Sequence, residues 1–262
     1  MNSLINKKEK LYFALCCIFS ALIYLCIIMA LIAGEEDITL EYSPTSIFVV
    51  YLIIGLLIFL FTRGIFIGSL KGNSIKVSQT QFPELYNTAI DFCKKMSMPL
   101  PDIYIMQSGG IINSFVTKFL GRNFAVIYSD VLELAYEDGQ NAVNFVVAHE
   151  LAHIKRGHLK WRWLILPSSI VPLLRKAYSR ACEYTADSFA ANLQPDGAVN
   201  GLLFLAAGKK LYKKVNVEEF ERQAFEQTGF WVWLSERHSS HPNLTKRVSA
   251  IKNCSSKDNF NY

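Results

Sequence analysis

Two stretches of the chain show no hydrophobic periodicity because almost every position is apolar. Residues 11–33 and 42–62 contain no charged side chain. A helix rises about 1.5 Å per residue, so about 20 apolar residues cross a hydrocarbon core. Each stretch therefore predicts a transmembrane helix, the second with Pro44 where a first turn tolerates proline. A cleaved signal peptide would have a shorter apolar core and a small residue at its cleavage site. Here the run continues to Ala33, and Leu31 stands where the small residue should be.

Beyond residue 72 the pattern becomes periodic. Leu85, Ala89, Phe92, Cys93 and Met96 are spaced three and four apart, which predicts an amphipathic helix over 82–96, ending near Pro99. Residues 103–106 read as a short strand. Phe115, Thr117 and Phe119 then alternate with Ser114, Val116 and Lys118. Gly121-Arg122-Asn123 supplies turn chemistry, and residues 124–128 form a second apolar run, together predicting a β-hairpin. Helical spacing returns from 140 to about 160 and from about 173 to 193, where Pro195-Asp196-Gly197 stops it. The expected fold class is α+β: a membrane anchor over 1–72 with two transmembrane helices, then a mostly helical domain with a small β-sheet over 73–262.

Composition agrees. Apolar residues make up 51% of the 262 and charged ones only 19%, and the mean hydropathy of +0.21 is high for a soluble enzyme. A net charge of +5 lacks the basic stripe of a nucleic-acid binder, so no nucleic-acid partner is expected. The six cysteines include no C-x-x-C pair, which argues against a disulfide framework and a thiolate zinc cluster. Lys7, Lys8 and Lys10 precede the first span, Glu35, Glu36, Asp37 and Glu41 lie between the spans, and Arg63, Lys71 and Lys76 follow the second. Positive charge favours the cytoplasmic side. Both ends, and the domain after the anchor, are expected there, at the inner membrane if the cell is bacterial.

The candidate chemistry lies at His149-Glu150-Leu151-Ala152-His153. Histidines four apart share one helix face and can reach one ion, while the intervening glutamate projects toward an open coordination position. A three-residue pattern recurs by chance, but here it sits among Ala142, Val143, Phe145, Val146, Val147 and Leu151. Two histidines on so apolar a helix are costly without a partner. Zinc catalysis needs a third protein ligand. A metzincin would place a glycine and a histidine at positions that here hold Arg156 and Leu159. The remaining solution is a carboxylate from a later helix, and Glu183 with Asp187 lie four apart on one face. Glu183 is the expected ligand, and Asp187 the acceptor of a ligating histidine's second N–H. His158 is read as a surface or headgroup-facing residue. Trp161, Trp163, Trp231 and Trp233 fit an interfacial belt and core or rim packing equally.

His149-Glu150-x-x-His153 followed by Arg180-x-x-Glu183-Tyr184-x-Ala186-Asp187 resembles the M48 family of zinc metallopeptidases, which contains the HtpX-type membrane proteases and the CAAX prenyl proteases. The likeness covers about residues 80–252, and the two N-terminal spans fit the HtpX-like branch. It implies a zincin-like (gluzincin) domain with one zinc ion per chain, acting as an endopeptidase on unfolded or membrane polypeptides in quality control. Asn113-Ser114-Phe115 is similar to the family's Asn-Ala-Phe segment, which implies a strand lining the active site and binding substrate; the serine departs from the pattern. Ser240-His241-Pro242 with Arg247 resembles its carboxy-terminal signature. That implies His241 as a catalytic donor to the oxyanion, with His238 behind it, and Arg247 at the substrate; a His241 that merely packs beside Arg247 is the alternative.

The family's further hydrophobic segments have a counterpart only in residues 163–174, too short and proline-broken to span, so a membrane-touching or substrate-facing hairpin is expected there. Glu150 would serve as general base. Two competing readings are a CAAX-type prenyl protease, which would need many more spans, and a membrane-tethered adaptor with structural zinc, which would need no base beside an open position.

Overall fold

The computed structural model describes residues 2–33, 44–107, 114–137 and 139–257. The first apolar run forms helix α1 (Lys7–Ala33) and the second α2 (Pro44–Asn73). Both are long and apolar enough to cross a membrane, and both leave most of their side chains uncovered by protein. Helix α2 continues past the apolar run, through Arg63 and Lys71, because its last turns pack. Ile67 and Leu70 lie against Tyr104, Phe124 and Val126, Arg63 donates to the Thr117 hydroxyl, and Lys71 sits over the Phe124 ring.

Four strands form one sheet: β1 (Ile75–Lys76), β2 (Asp102–Met106), β3 (Ser114–Phe119) and β4 (Arg122–Tyr128), in the order β1-β2-β4-β3. The hairpin follows its sequence pattern: β3 pairs antiparallel with β4, from Ser114 opposite Ile127 to Phe119 opposite Arg122. It turns through Leu120 and Gly121, both in the left-handed region. Strand β2 runs parallel to β4. Alternation assigns the faces: Tyr104, Phe124 and Val126 meet α2, while Ile103, Ile105, Ala125 and Ile127 enter the main core. Strand β3 is left at the sheet edge.

Helix α3 (Pro83–Lys95) covers the core face, burying Leu85, Ala89, Phe92 and Cys93, the stripe its spacing predicts. After the short α4 (Ser129–Glu133), helix α5 (Gln140–Arg156) runs through the centre. Its partners are α6 (Leu174–Leu193) and α7 (Pro195–Ala207). Pro195-Asp196-Gly197 does end α6, but it also starts α7, since a proline in the first turn needs no hydrogen-bonding N–H. Gly197 and Gly201 face α5 so closely that a Cβ at Gly197 would lie 1.9 Å from the Asn141 carbonyl oxygen. Helices α8 (Val217–Glu226), α9 (Phe230–His238) and α10 (Leu244–Lys257) complete the domain. The Asn216 side chain caps α8 by accepting from the Glu218 and Glu219 N–H groups.

Helix α5 stops at Gly157, whose φ of +69° suits glycine. The Gly157 N–H returns to the Ile154 carbonyl and the His158 N–H to the His153 carbonyl, a paired closure that folds His158 back along the helix. Residues 161–172 then turn against α1. The Ser168 N–H donates to the Ser20 hydroxyl at 3.1 Å, Trp161 approaches Phe13, and Trp163 stands edge-on to Phe59 of α2 at 4.4 Å. The stretch thus packs on the apolar helices, with Leu164, Leu166 and Ile170 exposed beside them.

Candidate metal centre

Helices α5 and α6 bring the predicted donors together. His149 and His153, one turn apart, place their Nε2 atoms 3.1 Å from each other. Glu183 of α6 places Oε2 3.4 Å from His149 Nε2 and Oε1 3.4 Å from His153 Nε2. Four donors around a tetrahedral zinc, each at about 2.0–2.1 Å, stand about 3.3 Å apart. The three side chains thus have the spacing, the mixed nitrogen and oxygen chemistry and the convergence that such an ion requires, and they fit it.

Charge around the donors is balanced by burial and pairing. His149 Nδ1 lies 3.0 Å from Asp187 Oδ1, close but outside good hydrogen-bond geometry. Burial works against a charge on His149, yet Asp187 and Glu183 outweigh it and lift its pKa to about 10. Burial likewise opposes a charge on Glu183, and the two imidazoles nonetheless hold it well below the usual carboxylate range. Asp187 is also lowered against its burial, chiefly by Arg247. Arg247 grips Asp187 with two donors, Nε to Oδ2 at 2.7 Å and Nη2 to Oδ1 at 2.6 Å, and its Nη1 is 3.4 Å from Glu183 Oε2.

Arg247 lines the cleft over the donors, and at 4% exposure its guanidinium is occupied by Asp187 and Glu183, so it orients carboxylates there. His158 is a correction: its side chain is 7% exposed, and its Nδ1 lies 2.8 Å from His153 Nδ1. Burial pushes its pKa down. The sequence signal was Gly157, which ends the helix and reverses the chain, so that His158 folds back against His153.

A cleft of about 270 Å³ opens over the donors, lined among others by Ser114, Phe115, Glu150, Arg162, Leu205 and His241. Glu150 lies beside the triad, and the Ser114 hydroxyl donates to its Oε1 at 2.6 Å, a contact sequence reasoning missed. His241 reaches in from the segment after α9, with Nε2 3.6 Å from Glu183 Oε1 and Nδ1 2.9 Å from the Ser240 hydroxyl. His238 instead meets the Leu234 carbonyl within α9. Asn113 lies outside the described residues. Arg162 and Leu205 were not foreseen at the cleft, and only the packing of their elements reveals them.

Two histidines one turn apart on a central helix, an acid from the next helix and a glutamate beside the pair define a metallopeptidase-type centre. The chain belongs to peptidase family M48, whose profile matches residues 79–170 and 160–255. It is 29% identical to a plastoglobule-localized metallopeptidase 48 of Arabidopsis thaliana, an alignment covering 58% of this chain and 49% of that one. It is 26% identical to the protease HtpX of Pasteurella multocida, covering 64% and 71% respectively. A homologue of HtpX from a Nostoc strain is 35% identical over 30% of this chain and 26% of its own length. The two HtpX relatives place the chain in the HtpX-like branch. The chain spans about half the length of the Arabidopsis relative. Among solved structures, Ste24p of S. mikatae aligns with a TM-score of 0.52 at 15% identity, over 92% of this chain and 66% of that one, a likeness of fold.

Proposed function

We propose that this chain is a membrane-anchored zinc endopeptidase, with residues 1–72 as anchor and 73–262 as a zincin-like catalytic domain on the cytoplasmic side. The observation that supports it most is the 3.1–3.4 Å spacing of His149 Nε2, His153 Nε2 and the Glu183 oxygens, with Glu150 alongside. His149, His153 and Glu183 would hold the zinc, which would supply Lewis acidity toward a water and the scissile carbonyl.

The chain's own groups do the rest. Ser114 fixes Oε1 of Glu150, which leaves Oε2 to take the proton of the attacking water and return it to the departing amine. A Ser240 hydroxyl donating to His241 Nδ1 keeps the imidazole proton on Nε2, the nitrogen facing the cleft, where it can donate to the carbonyl oxygen as negative charge builds. Asp187 aligns His149, and Arg247 aligns Asp187. Strand β3 lies at the sheet edge and lines the cleft, so an extended peptide can add beside it as a further strand. That mode selects unfolded segments, in keeping with a role in protein quality control at the bilayer. A structural-zinc adaptor would have no use for Glu150 beside an open position.

The test is detergent-purified protein with and without Glu150→Gln. Both forms are expected to carry one zinc per chain, and only the unsubstituted one to cleave casein, with a loss of about 10²–10⁴-fold in the variant. Equal cleavage by both, or none by either from folded zinc-loaded samples, overturns the reading.

A further inference from the structure

We propose that Glu9, at the foot of the first membrane helix, is a positioning residue for the metal ligand His153, acting through His158. The proposal rests on the zinc site argued above. A histidine that ligates through Nε2 carries its remaining proton on Nδ1. In His153 that Nδ1 faces only 2.8 Å of space before the Nδ1 of His158. Two nitrogens at this distance need one proton between them, so His153 donates and His158 accepts. His158 must then carry its own proton on Nε2, and that atom lies 3.5 Å from Glu9 Oε1. His158 Nε2 and Glu9 Oε2 are both buried, and neither has a hydrogen-bond partner among the described residues. The chain of protons thus runs one way, from His153 through His158 toward a carboxylate on α1.

Glu9 is itself held in place. The Arg156 Nη2 donates to its Oε1 at 2.8 Å, and one turn away the Asn6 N–H donates to the Thr185 hydroxyl of α6 at 3.1 Å, anchoring the start of α1 two residues from Glu183. His149 has a carboxylate, Asp187, directly behind it. His153 reaches its carboxylate through a second imidazole, and that carboxylate comes from the membrane anchor.

Glu9, His158 and Cys182 also lie close enough to suggest a second ion. An ion on His158 Nε2 would force the His158 proton onto Nδ1, against the Nδ1 proton of His153, and would sit beside the Arg156 guanidinium. The geometry therefore points to a directed relay, hydrogen-bonded from His153 to His158 and closed at Glu9 by a 3.5 Å polar contact, rather than a metal site.

The experiment is zinc release from the full chain in detergent, followed with a colorimetric chelator, for wild type, Glu9→Ala, His158→Ala, the double variant and Ser20→Ala. Glu9→Ala is expected to release zinc about ten- to a hundredfold faster, the range for losing a partner behind a ligand. The double variant should be no faster than His158→Ala. Ser20→Ala, which loosens α1 at a different contact, should release like wild type. Unchanged release from Glu9→Ala, further acceleration by Glu9→Ala on the His158→Ala background, equal acceleration by Ser20→Ala, or two zinc ions per wild-type chain each overturn the proposal while the catalytic zinc reading stands. Zinc-free wild type overturns that reading and this proposal with it. If Glu9→Ala does not fold, His158→Ala alone decides, and unchanged release from it overturns the proposal.

Discussion

Arg247 shows how a single side chain can matter to the centre through the carboxylate it holds. Both it and Asp187 are almost wholly buried, so solvent screens their attraction little, and removing one leaves the other uncompensated. Arg247→Ala is expected to cost about 3–5 kcal/mol, a fall in Tm of about 10 °C at about 2–4 °C per kcal/mol. Arg247→Lys should recover only part, since one ammonium cannot match two parallel donors on one carboxylate. A thermal melt of the metal-free variants checks both, and a Tm within a degree or two of wild type would contradict the ion pair's importance. At this scale the sequence was informative wherever helix geometry sets the neighbours: four-residue spacing placed His149 with His153, and Glu183 with Asp187, on shared faces. It was uninformative where the backbone leaves the helix. His158 follows a left-handed Gly157, and no periodic rule carries a side chain's direction across such a turn.

At the scale of elements, the close crossing of α5 and α7 is what seats the metal helix. Gly197 meets the Asn141 backbone, which cannot move aside as a side chain can, whereas Gly201 meets the Phe145 ring. Gly197→Ala is therefore expected to destabilise the fold by about 1–3 kcal/mol or more, and Gly201→Ala by less, because Phe145 has rotamers to adjust. Melting curves of the two variants side by side give the order, and the reverse order would contradict it. The elements themselves were largely legible. The hairpin, α3, α5 and α6 follow hydrophobic spacing, and the structure ends them within a few residues of that pattern. The parallel pairing of β2 with β4 was not legible, because strand neighbours far apart in sequence leave no local signal. Helices α8 and α9 bury no residue fully; α8 does carry an apolar stripe, with Val217 and Phe220 against the core, but it is only ten residues long and was not read from the sequence.

For the whole molecule, the uncharged runs disclosed both membrane helices, but not how the domain rests on them. The basic flanks predict both ends in the cytoplasm. A reporter that fluoresces only in the cytoplasm, fused after the last residue, is expected to be bright, and one placed between the two helices dark; the opposite pattern would invert the orientation. What sequence could not show is the docking of residues 161–172 on α1, since Pro167 and Pro172 break any span and contact with a distant helix has no pattern of its own. Ser20, which meets Ser168, lies about 16 Å farther along α1 than Glu9 at about 1.5 Å per residue. The strap between α5 and α6 rests on the apolar helices, with its two ends rooted in the helices that carry the two halves of the donor set, and with α1 and α2 in a bilayer it would lie beside the acyl chains. Bilayer thickness becomes a variable of the chemistry: lipids that raise or sink α1 tug on that strap, and hydrolysis in vesicles should vary with tail length even when every catalytic side chain is intact.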